Sequence, residues 1–305
     1  MNRPEEGSWS PKVSVVIPTV GRATLGRAVR SVLDQTYPVA EILVVADVGV
    51  PLPLPRDDRI VELRTAAGSG SGIHRQLGID RAAGSVIALL DDDDEWRQDK
   101  LRRQLDAVAH CADGPWVASS RAVVAGAGKC RIWPRHLIRS RQPVSEYLFR
   151  RTDLTSGGAV LMTSTLCFPA GLARQVRWDD EEDAPHDEPS WLLRVQAALP
   201  EVHFEQLPQP LCTYHVGDES LSHSTRDRTD EYVEWGRRHL GDQSARILGD
   251  YLCTSPVSAA VSARSLSGLR RAVVAALRHG RPGPWALAYA GLSAVRIVLL
   301  EVRRR

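Results

Sequence analysis

Hydrophobic and polar positions change rhythm partway along the 305-residue chain. In the first third, continuous apolar runs alternate with stripes spaced three to four residues apart. "KVSVVIPT" (12–19), "AEILVVAD" (40–47) and "SVIALL" (85–90) are runs of the kind that form parallel strands buried on both faces, and "RIVELR" (59–64) predicts one more. Between them, "ATLGRAVRSVLDQ" (23–35) puts Leu25, Val29, Val32 and Leu33 on one helical stripe. "GIHRQLGIDRAAG" (72–84) predicts a helix closed by Gly84. "RQDKLRRQLDAVAH" (97–110) is amphipathic through Leu101, Leu105 and Val108. Strands alternating with helices predict an α/β unit with a mainly parallel sheet, whose ligand site lies outside the carboxyl ends of the strands.

From about Pro115 the rhythm changes. Strand candidates "WVASSRAVV", "GAVLMTSTLCF", "EVHFEQL" and "LCTYHV" mix with helices such as "PSWLLRVQAAL", which predicts α+β structure added to the same sheet. Beyond about Thr225 the pattern is helical. The expected division is a first half over 1–114, a second over 115–225, and a helical extension over 226–305.

Composition adds little until its distribution is considered. The net charge of +2 gives no pull toward nucleic acid, but residues 262–305 carry nine arginines against one glutamate. Within that stretch, 285–295 is apolar or small before Arg296 and Glu301 interrupt it. That is short of a membrane span, which needs about 20 apolar residues. A helix lying in the membrane interface fits, with arginines toward lipid headgroups; so does a helix packed on the protein's own body. The N-terminus has no apolar run, so no signal peptide is expected. Five isolated cysteines, with no CxxC and no zinc-like spacing, predict free thiols in a reducing cytosol. The expected location is therefore cytoplasmic, with peripheral contact at the inner membrane face.

The chemistry concentrates in "VIALLDDDDEW" (86–96), where four aspartates follow a buried strand. Such density is tolerable if a divalent cation or an array of donors neutralises it, and hard cations such as Mg²⁺ or Mn²⁺ take oxygen ligands. In an extended segment Asp91 and Asp93 point to one side and Asp92 to the other. Other readings are an acidic turn capping the next helix through Asp94 or Glu95, and the D-x-D of haloacid-dehalogenase-type phosphatases with Asp91 as nucleophile. The glycine-rich "AAGSGSG" (66–72) is not a dinucleotide fingerprint and predicts a loop entering the next helix.

"VSVVIPTVGRATLGRAVRSVLDQTYPVAEILVVAD" followed by "GIDRAAGSVIALLDDDDEW" resembles the family 2 glycosyltransferases, which have a GT-A fold. The resemblance is dense from Lys12 to His110 and returns more weakly from Thr163 to Ser222. It implies an inverting transfer of sugar from a nucleotide-diphosphate donor, UDP- or dTDP-linked, to a glycan, lipid-linked or small-molecule acceptor. Pro18, Thr19 and Arg22 match the loop that cradles the nucleotide. Asp47 matches the base contact, and Arg75 the arginine facing base or diphosphate. Asp91 and Asp92 are implied to contact sugar and ribose, and Asp93 to bind Mg²⁺ or Mn²⁺. "EEDAPHDEPSWLLRV" resembles the family's acceptor-side acidic segment, which makes Glu188 or its neighbour Asp187 the catalytic base; the acidic run over 179–183 reads as a solvated loop. His215 in "CTYHVGDES" falls where a late metal or diphosphate ligand is placed. Trp96 and Trp191 read either as sugar-stacking or as core residues. Val20, Gly21, Ala46, His74 and Gln76 depart from the family pattern, leaving base and sugar preference open and keeping a non-catalytic nucleotide-sugar-binding scaffold as an alternative.

Overall fold

A computed structural model describes residues 9–66, 68–126, 128–155, 157–178, 185–216 and 226–302. The acidic run 179–183, residues 217–222 of the weaker match, and the last three arginines lie outside them.

The apolar runs of the first third form β1 (Val13–Thr19), β2 (Val39–Ala46), β3 (Ile60–Arg64) and β4 (Val86–Leu89). The stripes between them form α1 (Leu25–Leu33) and α2 (Ser71–Arg81). Every residue of β1 and β4 is buried, as expected of strands covered on both faces. Then come β5 (Glu95–Trp96), α3 (Lys100–Val108), β6 (Trp116–Gly126), β7 (Lys129–Trp133) and α4 (Val144–Phe149). The second half is completed by β8 (Cys167–Pro169), α5 (Ala170–Gln175), α6 (Asp187–Ala198) and β9 (His203–His215). Helices α7 (Thr229–Leu240), α8 (Ala245–Leu252), α9 (Ser255–Ser262), α10 (Leu266–His279) and α11 (Pro284–Val302) follow.

Among the described residues one sheet runs β3-β2-β1-β4-β8-β6-β9-β5, with β7 beside β6. Strands β3, β2, β1 and β4 are parallel. From β8 onward the sheet is mixed: β8 is antiparallel to β4 and β6, β9 is parallel to β6, and β5 is antiparallel to β9. "Mainly parallel" therefore describes the first half only.

Three further expectations change. The candidate strand over 158–168 shortens to β8, because its middle is a tight helical turn over 163–165. The two candidates over 201–207 and 211–216 are one long strand, β9, whose pairing with β6 slips where Leu207 gives way to Pro210. Gly84 is not a left-handed helix cap. The helix ends at an extended Ala82, and a Cβ on Gly84 would lie 2.5 Å from Ser14 Oγ and 2.6 Å from Lys12 O. Glycine is required there because the chain passes against β1.

Two cores sandwich the sheet. One joins α1 and α3 to Val15, Ile17, Ala88 and Trp116, and the other joins α6 to Val16, Leu89 and Phe168. A third cluster docks the C-terminal helices on the body through Phe149, Trp235, Leu248 and Tyr251.

Candidate active site

The site is built at the carboxyl ends of β1, β2 and β4. After β1, Gly21 turns the chain with φ +80°, and its N–H donates to Thr19 Oγ1 at 2.9 Å. Thr19 in turn donates to Asp92 Oδ2 at 2.6 Å, and Arg22 donates to Asp92 Oδ1 at 2.5 Å. Asp92 is 2% exposed and both its oxygens are engaged. It locks the loop after β1 to the aspartate turn from within, so the more open carboxylates at this turn are Asp91 and Asp93.

The turn itself closes through Asp94 N–H to Asp91 O at 3.2 Å. Asp94 is fully buried. Its oxygens accept from Ser164 Oγ at 2.5 Å and from the His215 backbone N–H at 3.1 Å. Burial, then the charge of Asp91, pushes its carboxyl up to about 8, against the hydrogen bond from Ser164. Asp93 stays open, with 32% of its side chain exposed and Arg22 at 3.4 Å. Burial and the charge of Asp91 raise its carboxyl above the usual range, opposed by Arg22. These crowded carboxylates supply an all-oxygen donor set of the kind a hard cation takes. The oxygens of Asp93 and Asp91 fit Mg²⁺ or Mn²⁺.

Helix α2 delivers Arg75 across the cleft. Its guanidinium donates to Asp91 Oδ1 at 2.7 Å and to Asp187 Oδ2 at the first residue of α6. Burial alone would lower the pKa of Arg75, but Asp91 and Asp187 more than offset it, so the guanidinium is held charged. Asp187 also accepts from Trp178 Nε1 at 2.5 Å. Both its oxygens are therefore engaged by other side chains, while the hydrogen bond that lowers the proton affinity of the Glu188 carboxyl comes from its own backbone N–H. Burial, then the charge of Asp187, pushes Glu188 up to about 7.

The residue before this pair, His186, sits among the C-terminal aromatics. Its ring lies 4.6 Å from Trp235, 5.2 Å from Tyr232, 5.6 Å from Tyr251 and 6.1 Å from Phe149. Burial and His239 push it down to about 3, so it is neutral. Trp235 Nε1 donates to Ser190 Oγ at 2.8 Å, tying α7 to the first turn of α6. The helical extension thus braces the acidic start of α6.

Asp47 lines an open cleft of about 700 Å³ between loop 47–52 and residues 62–65 at the end of β3. It accepts from Gly68 N–H at 3.2 Å, which links it to the loop entering α2. Pro18 lies within β1, paired with Val45. His215 Nε2 faces Glu95 at 3.2 Å, and its backbone holds Asp94. Trp191 is fully buried and stacked on Trp178 at 4.7 Å, and Trp96 is 5% exposed beneath Lys100, so both are core residues and not sugar platforms. Sequence reasoning missed Ser164 and Trp178 and treated Asp94 only as a helix cap. No local pattern marks them, because each acts on a residue distant in the chain or buried.

The mixed sheet with its flanking helices has the GT-A fold, as the structural neighbours below share it. Residues 14–158, just under half the chain, match the family model Glycosyl transferase family 2. A putative teichuronic acid biosynthesis glycosyltransferase, TuaG of Bacillus subtilis, is 36% identical over 107 residues, 32% of this chain and 42% of that protein. The amylovoran biosynthesis glycosyltransferase AmsB of Erwinia amylovora is 27% identical over 152 residues, 48% of this chain and 47% of that protein. The chain thus spans under half the length of these curated relatives. In structure it resembles S. aureus TarS 1-349 in complex with UDP-GlcNAc, with a TM-score of 0.57 and 14% identity over 87% of this chain and 79% of that one. It also resembles the mannosyltransferase PcManGT of Pyrobaculum calidifontis in complex with GDP-Man and Mn²⁺, with a TM-score of 0.56 and 16% identity over 96% and 87% of the two chains. These matches leave the phosphatase reading without support.

Proposed function

We propose that this chain transfers a sugar from a nucleotide-diphosphate donor to an acceptor hydroxyl with inversion, and that Glu188 is the base. One observation carries the reading: Arg75 joins Asp91, at the donor turn, to Asp187, which sets the neighbouring Glu188 carboxyl beside that turn with a proton affinity near neutrality. The family match and the nucleotide-sugar complexes of the two structural neighbours support the donor class.

In this mechanism the nucleobase of the donor lies in the cleft beside Asp47, and the loop carrying Thr19 and Arg22 lines the path to the diphosphate. Asp91 and Asp93 would hold Mg²⁺ or Mn²⁺, which when bound supplies charge stabilisation for the departing diphosphate. Arg22 and Arg75, already fixed by carboxylates, add positive charge without reorganising. The reacting sugar carbon becomes oxocarbenium-like, as in glycoside hydrolysis. On its opposite face Glu188 takes the proton of the acceptor hydroxyl, and a carboxyl tuned near 7 suits that task. Asp187, engaged on both oxygens, orients the pair.

The experiment is a nucleotide-sugar panel measured by thermal shift with and without Mn²⁺, followed by turnover and the anomeric configuration of the product. A metal-dependent shift by one donor with inverted product is expected. Donor binding without hydrolysis or transfer would favour the non-catalytic scaffold.

A specific observation supports peripheral contact with the inner membrane face. Helix α11 buries a stripe through Ala286, Ala290, Ser293 and Ile297 but exposes Trp285, Leu292, Val295 and Leu299. Residues 251–300 contain six arginines and no carboxylate, a balance suited to anionic lipid. No helix among the described residues is long and apolar enough to cross a membrane. Sedimentation with phosphatidylglycerol vesicles is expected, lost on Trp285→Ser with Leu292→Ser. Equal binding to phosphatidylcholine alone would contradict the electrostatic part.

A further inference from the structure

At the opposite end of β9 from the aspartate turn lies a second group of ligating side chains. His110 and Cys111 sit in the turn that follows α3, and His203 is the first residue of β9. The ligating atoms of these three residues lie within 4.8 Å of one another. The two imidazoles stand edge to face with centroids 5.4 Å apart. Glu205, two residues along β9 and so on the same face as His203, has Oε2 3.1 Å from His203 Nε2.

We propose that His110, Cys111, His203 and Glu205 form a tetrahedral site for a borderline-soft divalent cation of the zinc type, separate from the donor site. Two imidazole nitrogens, one thiolate and one carboxylate oxygen are a zinc donor set, whereas the all-oxygen aspartate turn suits hard cations. Binding releases the Cys111 proton to solvent and replaces its contact to Val108 O (3.2 Å) by a metal–sulfur bond. No spacing in the sequence advertises the site, because its halves are some ninety residues apart and meet only when β6 pairs with β9, Trp116 opposite His203. The cation would pin the end of α3 to the start of β9. The far end of the same strand presents the His215 N–H to Asp94. Thirteen residues of strand separate the two sites by roughly 40 Å at about 3.3 Å per residue, so the role is structural.

The test is titration of the reduced, metal-free full chain with Co²⁺. Near-ultraviolet thiolate-to-Co²⁺ charge transfer and visible ligand-field bands of tetrahedral type are expected, saturating at one equivalent and displaced by Zn²⁺. The donor site holds no sulfur and gives no charge-transfer band, so Asp93→Ala keeps it. Cys111→Ser abolishes the band and Cys130→Ser, at an exposed cysteine, leaves it. Glu205→Gln, which preserves shape, weakens Co²⁺ binding at least about tenfold, the lower end even for residues that only support a ligand. Circular dichroism establishes that each variant is folded. No charge-transfer band in folded, reduced protein, or a band that survives Cys111→Ser, overturns the proposal.

Discussion

Two acidic segments face each other across the cleft, and they are held in different ways. The aspartate turn over 91–94 is fixed by polar contacts from the first half and from the β8 and β9 side: Thr19, Arg22, Ser164 and the His215 N–H. The start of α6 is fixed by Arg75 and Trp178 on one side and by a packed aromatic group from the C-terminal helices on the other. In both, one carboxylate has both oxygens held by other side chains and its neighbour is less tied: Asp92 beside Asp93, which has Arg22 at 3.4 Å, and Asp187 beside Glu188. The aspartate turn is held from the sheet, the loop after β1 and α2, while the proposed base depends also on a helical extension outside the sheet.

Arg75 is the shared element, and removing it should break both segments at once. Arg75→Met leaves Asp91 and Asp187 without their counter-charge, and unpairing a buried ion pair costs about 3–5 kcal/mol. A lower denaturation midpoint and at least about 100-fold lower turnover are expected from denaturant titration and donor hydrolysis assays. Trp235→Ala separates the segments. Truncating this buried tryptophan costs about 3–5 kcal/mol and should lower kcat more than donor affinity, because the brace touches α6 and not the donor turn. Equal loss of donor binding would contradict that division. Asp93→Ala should do the reverse, lowering turnover by at least about 100-fold and abolishing the Mn²⁺-dependent thermal shift with little change in metal-free stability.

A pH-dependent effect concerns Asp94. Its carboxyl stands near 8 in the folded protein against an ordinary 3.8. The folded state therefore holds a proton that the unfolded chain has released, and stability falls as pH rises from about 4 through about 8. Asp94→Asn removes that loss. The variant's melting temperature in the presence of a chelator should exceed the parent's increasingly between pH 5 and pH 8, and a gap that shrinks with rising pH would refute the assignment.

Much of the donor side was legible in the sequence. Continuous Val- and Ile-rich runs predict β1, β2 and β4 because strands covered on both faces have no polar side. The aspartate turn stands out because it follows such a strand directly, whereas Arg75 is marked by the resemblance to the family. What was not legible depends on contacts distant in the chain. Asp94 meets Ser164 and the His215 N–H, 70 and 121 residues away, and nothing in "DDDDEW" separates it from its neighbours. Trp191 looks available to a sugar until Trp178 is seen stacked on it. The aromatic brace around His186 draws on α4, α7 and α8, so no window of sequence displays it.

The proposed mechanism turns on Glu188, and not Asp187, accepting the acceptor proton. The direct measurement is the pH dependence of kcat/KM for the parent, Glu188→Gln and Asp187→Asn with one donor and Mn²⁺. The parent rate should rise with pH through about 7 as Glu188 loses its proton. Glu188→Gln should lose that rise and at least about 100-fold in rate, while Asp187→Asn keeps the rise at a reduced level. Near-full turnover in Glu188→Gln, with the rise lost in Asp187→Asn, would contradict the account and move the base by one residue.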